Sequence, residues 1–91
     1  MKIVINSDYG GFGLSKEAIK LYNERSETKI EHDWDVERDD PILVQVVEEL
    51  GEEAEDAFAA LKIVEIPDGI DWDIEEYDGM EWIAEVHRTW S

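Results

Sequence analysis

In the last third of this chain the spacing of apolar residues changes from about 3.6 to 2, and that change does most to limit its possible folds. Upstream, Leu43, Val46, Val47 and Leu50 fall at i, i+3, i+4 and i+7, the stripe of a helix with one buried side. Downstream, residues 61 to 66, 72 to 77 and 80 to 87 read as strands, the first closed by the turn residues Pro67-Asp68-Gly69. Asp78-Gly79 sits between the last two and signals a two-residue hairpin turn. Such a turn pairs Tyr77 with Met80, Glu75 with Trp82 and Ile74 with Ile83, so the two isoleucines share one face and Trp82 and Tyr77 the other. With bulky groups on both faces, one side of the hairpin is expected against the helices and the other partly exposed or covered by a second subunit.

The rest of the chain supplies the layer that these strands need. Residues 2 to 6, KIVIN, predict a strand entering the core. Ser15 is placed to cap a helix over residues 16 to 24, with Leu14 and Ile19 as a hydrophobic staple and Ala18, Ile19, Leu21 and Tyr22 as the apolar face. Between Asn23 and Asp40 the period is lost and charges of both signs crowd in; this stretch reads as a connection that does not carry the fold, with a short extended piece around residues 29 to 36. Asp40-Pro41 starts a second helix, because Asp accepts orphan amides and Pro has none to lose. Gly51 is a C-cap, after which Ala54, Ala57, Phe58 and Leu61 keep the helical period, so residues 52 to 59 predict a second short helix or a kinked continuation. At 91 residues only one core is available, since a chain this short buries about 60 to 65% of its unfolded surface. The expectation is a single α+β domain over residues 1 to 91. It consists of an antiparallel sheet, built from the N-terminal strand and the C-terminal meander, with two helices packed on one face.

Charge decides which partners such a domain can have. Twenty-five acidic residues against eight basic give −17, and between Glu48 and Glu85 there are 15 acidic residues and one basic, Lys62. That surface repels nucleic acid phosphates and anionic lipid, and attracts basic patches on proteins. The charge either just keeps a small protein soluble or forms a docking face, and the residues placed for docking are Asp71, Asp73, Glu75, Glu76, Asp78 and Glu81. No cysteine is present, which removes disulfides and thiolate metal sites, and the opening residues lack the apolar run of a signal peptide, so a cytoplasmic location is expected.

The loop "DYGGFGLS" raises a second possibility. A strand, a glycine-rich turn and a capped helix together present backbone amides to anions, although "GGFGLSK" fits neither the ATP-binding loop nor the dinucleotide fingerprint. Gly10, Gly11 and Gly13 either supply positive φ for a tight turn or, with the rings of Tyr9 and Phe12, form a recognition surface. His87, Arg88 and Trp90 could complete an anion or base-stacking pocket there if the last strand lies beside the first. "HDWDVERDD" alternates carboxylates as a calcium loop begins, but Arg38 stands where that loop needs Gly and Val44 where it needs Glu, so no metal or other cofactor is expected. His32 and His87 lie beside no nucleophile motif, and no catalytic residues are expected.

Together "KIVIN...YGGFGLS", "RDDPILVQVVEELG", "LKIVEIPD" and "EYDGMEWIAEVHRTW" resemble a family of small acidic proteins of bacteriophage and prophage genomes, over most of residues 1 to 22 and 38 to 90. Where members often carry Arg-Cys this chain has Ser7-Asp8, so a thiol role would not carry over. The resemblance implies a viral gene in a host cytoplasm, where small acidic non-enzymes act by binding and many counter host defences. The expected function is therefore that of a binding protein countering antiviral defence, by docking its acidic face on a host protein or by sequestering a small anionic nucleotide signal. The alternatives are a structural or regulatory homo-oligomer and a metal-assisted hydrolase.

Overall fold

A computed structural model describes residues 1–57 and 59–85. Strand β1 (Lys2–Asn6) leads through the glycine loop to helix α1 (Lys16–Arg25), and a long connection reaches helix α2 (Pro41–Leu50). Strands β2 (Leu61–Glu65), β3 (Trp72–Tyr77) and β4 (Met80–Glu85) follow. The class is α+β, as the change of period indicates, and the antiparallel strands form two ribbons, β1–β2 and β3–β4.

Local chemistry accounts for the helix ends. The Ser15 hydroxyl accepts the Ala18 amide at 3.1 Å, and Asp40 Oδ1 accepts the Ile42 amide at 2.8 Å, each beginning a helix where the sequence places one. Gly51, at φ 57°, ends α2 by donating its amide to the Val47 carbonyl. The helix does not continue beyond it. Residues Gly51–Ala54 form one 3₁₀ turn, and the Glu53 and Ala54 carbonyls turn aside to accept the Ser15 hydroxyl at 2.6 Å and amide at 2.9 Å. Of the apolar positions that prolong the helical period, Ala54 is fully buried and Ala57 is exposed, while Phe58 lies outside the described residues.

The core gathers Val4 from β1, Ala18 and Tyr22 from α1, and Leu43, Val44, Val46 and Val47 from α2, with Leu14, Ile30, Val36 and Ala54 from the connections. Ile30 and Val36 overturn the expectation that residues 23 to 40 do not carry the fold. The Asn23 amide pins the first of them: Nδ2 donates to the Ile30 carbonyl and Oδ1 accepts its N–H, both at 2.8 Å. The extended piece expected near residues 29 to 36 is instead a 3₁₀ turn at Asp33–Asp35, because the Asp35 carboxylate accepts the His32 amide at 3.1 Å and the Asp35 amide returns to the His32 carbonyl.

Why there are two ribbons follows from the free edge of β1. Among the described residues no strand pairs there; Val4 N–H donates to the Arg38 carbonyl at 2.8 Å, and Asn6 N–H donates to Glu81 Oε1 at 2.7 Å. Side chains and a connecting loop thus do the work of a ladder, and they set β3–β4 beside β1.

Candidate functional site

Asn6 at the end of β1 and Glu81 on β4 hold the glycine loop and the hairpin together. Asn6 is fully buried, and its amide makes four hydrogen bonds: Nδ2 donates to the carbonyls of Asp8 (2.6 Å) and Gly79 (2.7 Å), while Oδ1 accepts the amides of Ala60 (2.9 Å) and Asp8 (3.3 Å). Every position of that side chain is used. Glu81 is the second. It receives Nη1 and Nη2 of Arg38 at 2.7 and 2.9 Å, a bidentate pair, and the guanidinium carbon lies 3.5 Å over the centre of the Phe12 ring.

That pair corrects two readings. Glu81, grouped by the sequence with an acidic docking face, is only 8% exposed and faces inward to Arg38. Phe12 does not stand beside Tyr9 as a second recognition ring; it packs against the core beneath Arg38, whereas Tyr9 is 61% exposed.

The three loop glycines also separate. Only Gly11 has positive φ; Gly13 is buried, and a Cβ there would require the Asp56 carboxylate to move aside. Asp8 Oδ1 accepts the Tyr9 amide at 2.7 Å, and Ser15 caps α1, so two of the donors that an anion would seek are already engaged. Gly79 rests against the Gly11 amide and the Tyr9 carbonyl, so the start of β4 is what abuts the loop. His87, Arg88 and Trp90 lie outside the described residues.

The hairpin register matches the two-residue turn: Tyr77 opposes Met80, Glu75 opposes Trp82, and Ile74 opposes Ile83, with Asp78 at φ 50° and Gly79 at φ 91°. Inward lie Ile74, Ile83 and Glu81; outward lie Tyr77, 65% exposed, and Trp82, 41% exposed. Asp71, Asp73, Glu75 and Asp78 are all exposed around them, whereas Glu76, grouped with them by the sequence, is exposed on the opposite face, across from Glu81. Trp82 Nε1–H donates to Glu75 Oε2 at 3.1 Å, and Asp73 Oδ1 accepts the Ile74 amide at 2.9 Å.

A fourth exposed ring lies outside the sites the sequence indicates. Trp34, 73% exposed, stacks on His32 with centroids 4.2 Å apart. A tryptophan inside a charged stretch with no apolar period, "HDWDV", is the signal that marks it.

Among the described residues no group of three or more His, Asp or Glu is arranged to hold a metal ion, and no helix is long and apolar enough to cross a membrane. The arrangement defines a small α+β domain that presents an acidic, aromatic ribbon. No family model matches the chain, and neither does a curated protein or a solved structure.

Proposed function

We propose that this protein acts without catalysis, by docking the acidic outward side of β3–β4 on a basic surface of a host protein, and that in a phage gene context this occupancy counters antiviral defence. The observation that carries the reading is Tyr77 and Trp82 standing exposed amid four exposed carboxylates, Asp71, Asp73, Glu75 and Asp78, on a ribbon held by Asn6 and Glu81. Large rings left in water at the centre of a charged patch are the usual anchors of a protein interface, and the charge around them speeds and orients encounter. The gene context rests on the sequence resemblance alone.

Nucleotide sequestration in the glycine loop has less support, because Phe12 is covered by Arg38 and the Tyr9 amide is taken by Asp8. A homo-oligomer through this same face would bring like charges together.

The test is capture from host lysate by the immobilised chain at low and high salt. It is run beside a variant carrying Asp71→Asn, Asp73→Asn, Glu75→Gln and Asp78→Asn, which removes charge from that side without changing shape. A basic protein retained at low salt, released at high salt and lost with the variant is the expected result. Equal retention by the variant excludes the ribbon as the docking face, and a nucleotide that raises the melting temperature instead favours the loop.

A further inference from the structure

We infer that the outward face of β3–β4 is a receptor for an arginine side chain carried on a short basic segment of a protein partner. The inference rests on the docking reading above and names what that face would grip.

The register puts three pairs on the face: Tyr77 with Met80, Glu75 with Trp82, and Asp73 with Ala84. Tyr77 and Trp82 are therefore diagonal neighbours across the ribbon, near enough to flank one inserted group, and Glu75 lies between Tyr77 and Asp73 along β3. The indole N–H of Trp82 is engaged by Glu75 Oε2, which orients the ring and leaves the carboxylate with further accepting capacity. Rings beside a carboxylate are what a guanidinium takes best: its plane stacks on an aromatic face while its fork donates two parallel hydrogen bonds. A lysine ammonium would keep the charge and lose both the stacking and the fork.

Size and charge decide the kind of occupant. β3 has six residues, a length of roughly 20 Å, so the face is narrower than the ~800 Å² per partner of a standard interface and suits one extended segment. A second copy is disfavoured, because a two-fold contact would set Asp73 and Glu75 against their own equivalents in a chain of charge −17.

The experiment measures binding of labelled peptides to the full chain by fluorescence anisotropy at low salt. One peptide alternates Arg and Ser, the second replaces each Arg by Lys, and the third replaces each by Glu. The Arg peptide is expected to bind about 5- to 20-fold more tightly than the Lys peptide, and the Glu peptide not at all. Trp82→Ala and Glu75→Gln should each remove the Arg preference, with Trp82→Phe keeping part of it as a gentler replacement whose fold is checked by circular dichroism. Glu17→Gln, an exposed carboxylate on α1, should weaken both basic peptides slightly and leave the preference intact. Equal Arg and Lys affinities, with Glu17→Gln and Glu75→Gln acting alike, overturn the arginine receptor while sparing acidic docking. If neither basic peptide binds, both readings are overturned. A dimer by sedimentation that Trp82→Ala disperses assigns the face to a second copy and likewise overturns the inference.

Discussion

Arg38, half-buried, and Glu81, buried, form the ion pair that joins the 23–40 connection to β4. Removing Arg38 strands a carboxylate that is nearly enclosed and also accepts the Asn6 amide. Arg38→Met should therefore cost about 3–5 kcal/mol in urea unfolding, the penalty for leaving a buried charge alone. Adding Glu81→Gln to it should restore part of that loss, because Gln keeps an acceptor for Asn6 and leaves no charge behind; a double variant no more stable than Arg38→Met would contradict this account. Tyr22 offers a test with a pH signature. Its hydroxyl donates to Asp40 Oδ2 at 2.5 Å, and burial, reinforced by that carboxylate, holds the phenol pKa above its ordinary value. The folded state then keeps the proton more tightly than the unfolded chain. Its contribution is complete below the unfolded pKa of roughly 10 and is lost as pH rises toward the higher folded value. Tyr22→Phe should cost about 1 kcal/mol near neutrality and flatten that alkaline decline, as urea titrations at the two pH values would show.

At the level of elements, the segments legible in the sequence are those whose cause is local. Ser15, Asp40-Pro41, Gly51 and Asp78-Gly79 each act within four residues, and each marks an element end where the structure has one. The roles of Arg38 and Glu81 are not legible for the opposite reason: each finds its partner 43 residues away, and period and composition do not report such a pairing. The candidate face divides the same way. Tyr77, Trp82 and the inward direction of Glu81 all follow from the turn register, whereas the ion pair that satisfies Glu81 and the cover over Phe12 come from the distant Arg38. Gly79 joins both scales, since the turn needs its positive φ and the loop needs its lack of a side chain. A Cβ there would stand 2.5 Å from both the Gly11 amide nitrogen and the Tyr9 carbonyl oxygen, which are backbone atoms with little freedom to yield. Gly79→Ala should destabilise by more than about 1 kcal/mol. Gly69→Ala, also at positive φ but with open space around it, should cost less, and thermal melts of the two would compare them directly.

For the whole molecule, an excess of 17 negative charges acts on folding and on association with opposite sign. Self-repulsion opposes the compact state, so adding salt up to roughly 0.2 M should raise the melting temperature, while any charge-driven complex weakens over the same range. A melting temperature that falls with added salt would mean that the ion pairs Arg25–Glu49, Lys2–Glu48 and Arg38–Glu81 outweigh the repulsion. The way the second ribbon is fastened has its own outcome in motion. Because among the described residues side chains and no shared backbone ladder join it to β1, the ribbon is expected to open ahead of the core, and a detached two-stranded hairpin has marginal stability by itself. Amide exchange should accordingly run faster across β3 and β4 than across β1. Whatever grasps the ribbon's outer side would also slow its departure, so occupancy and protection from solvent would rise together.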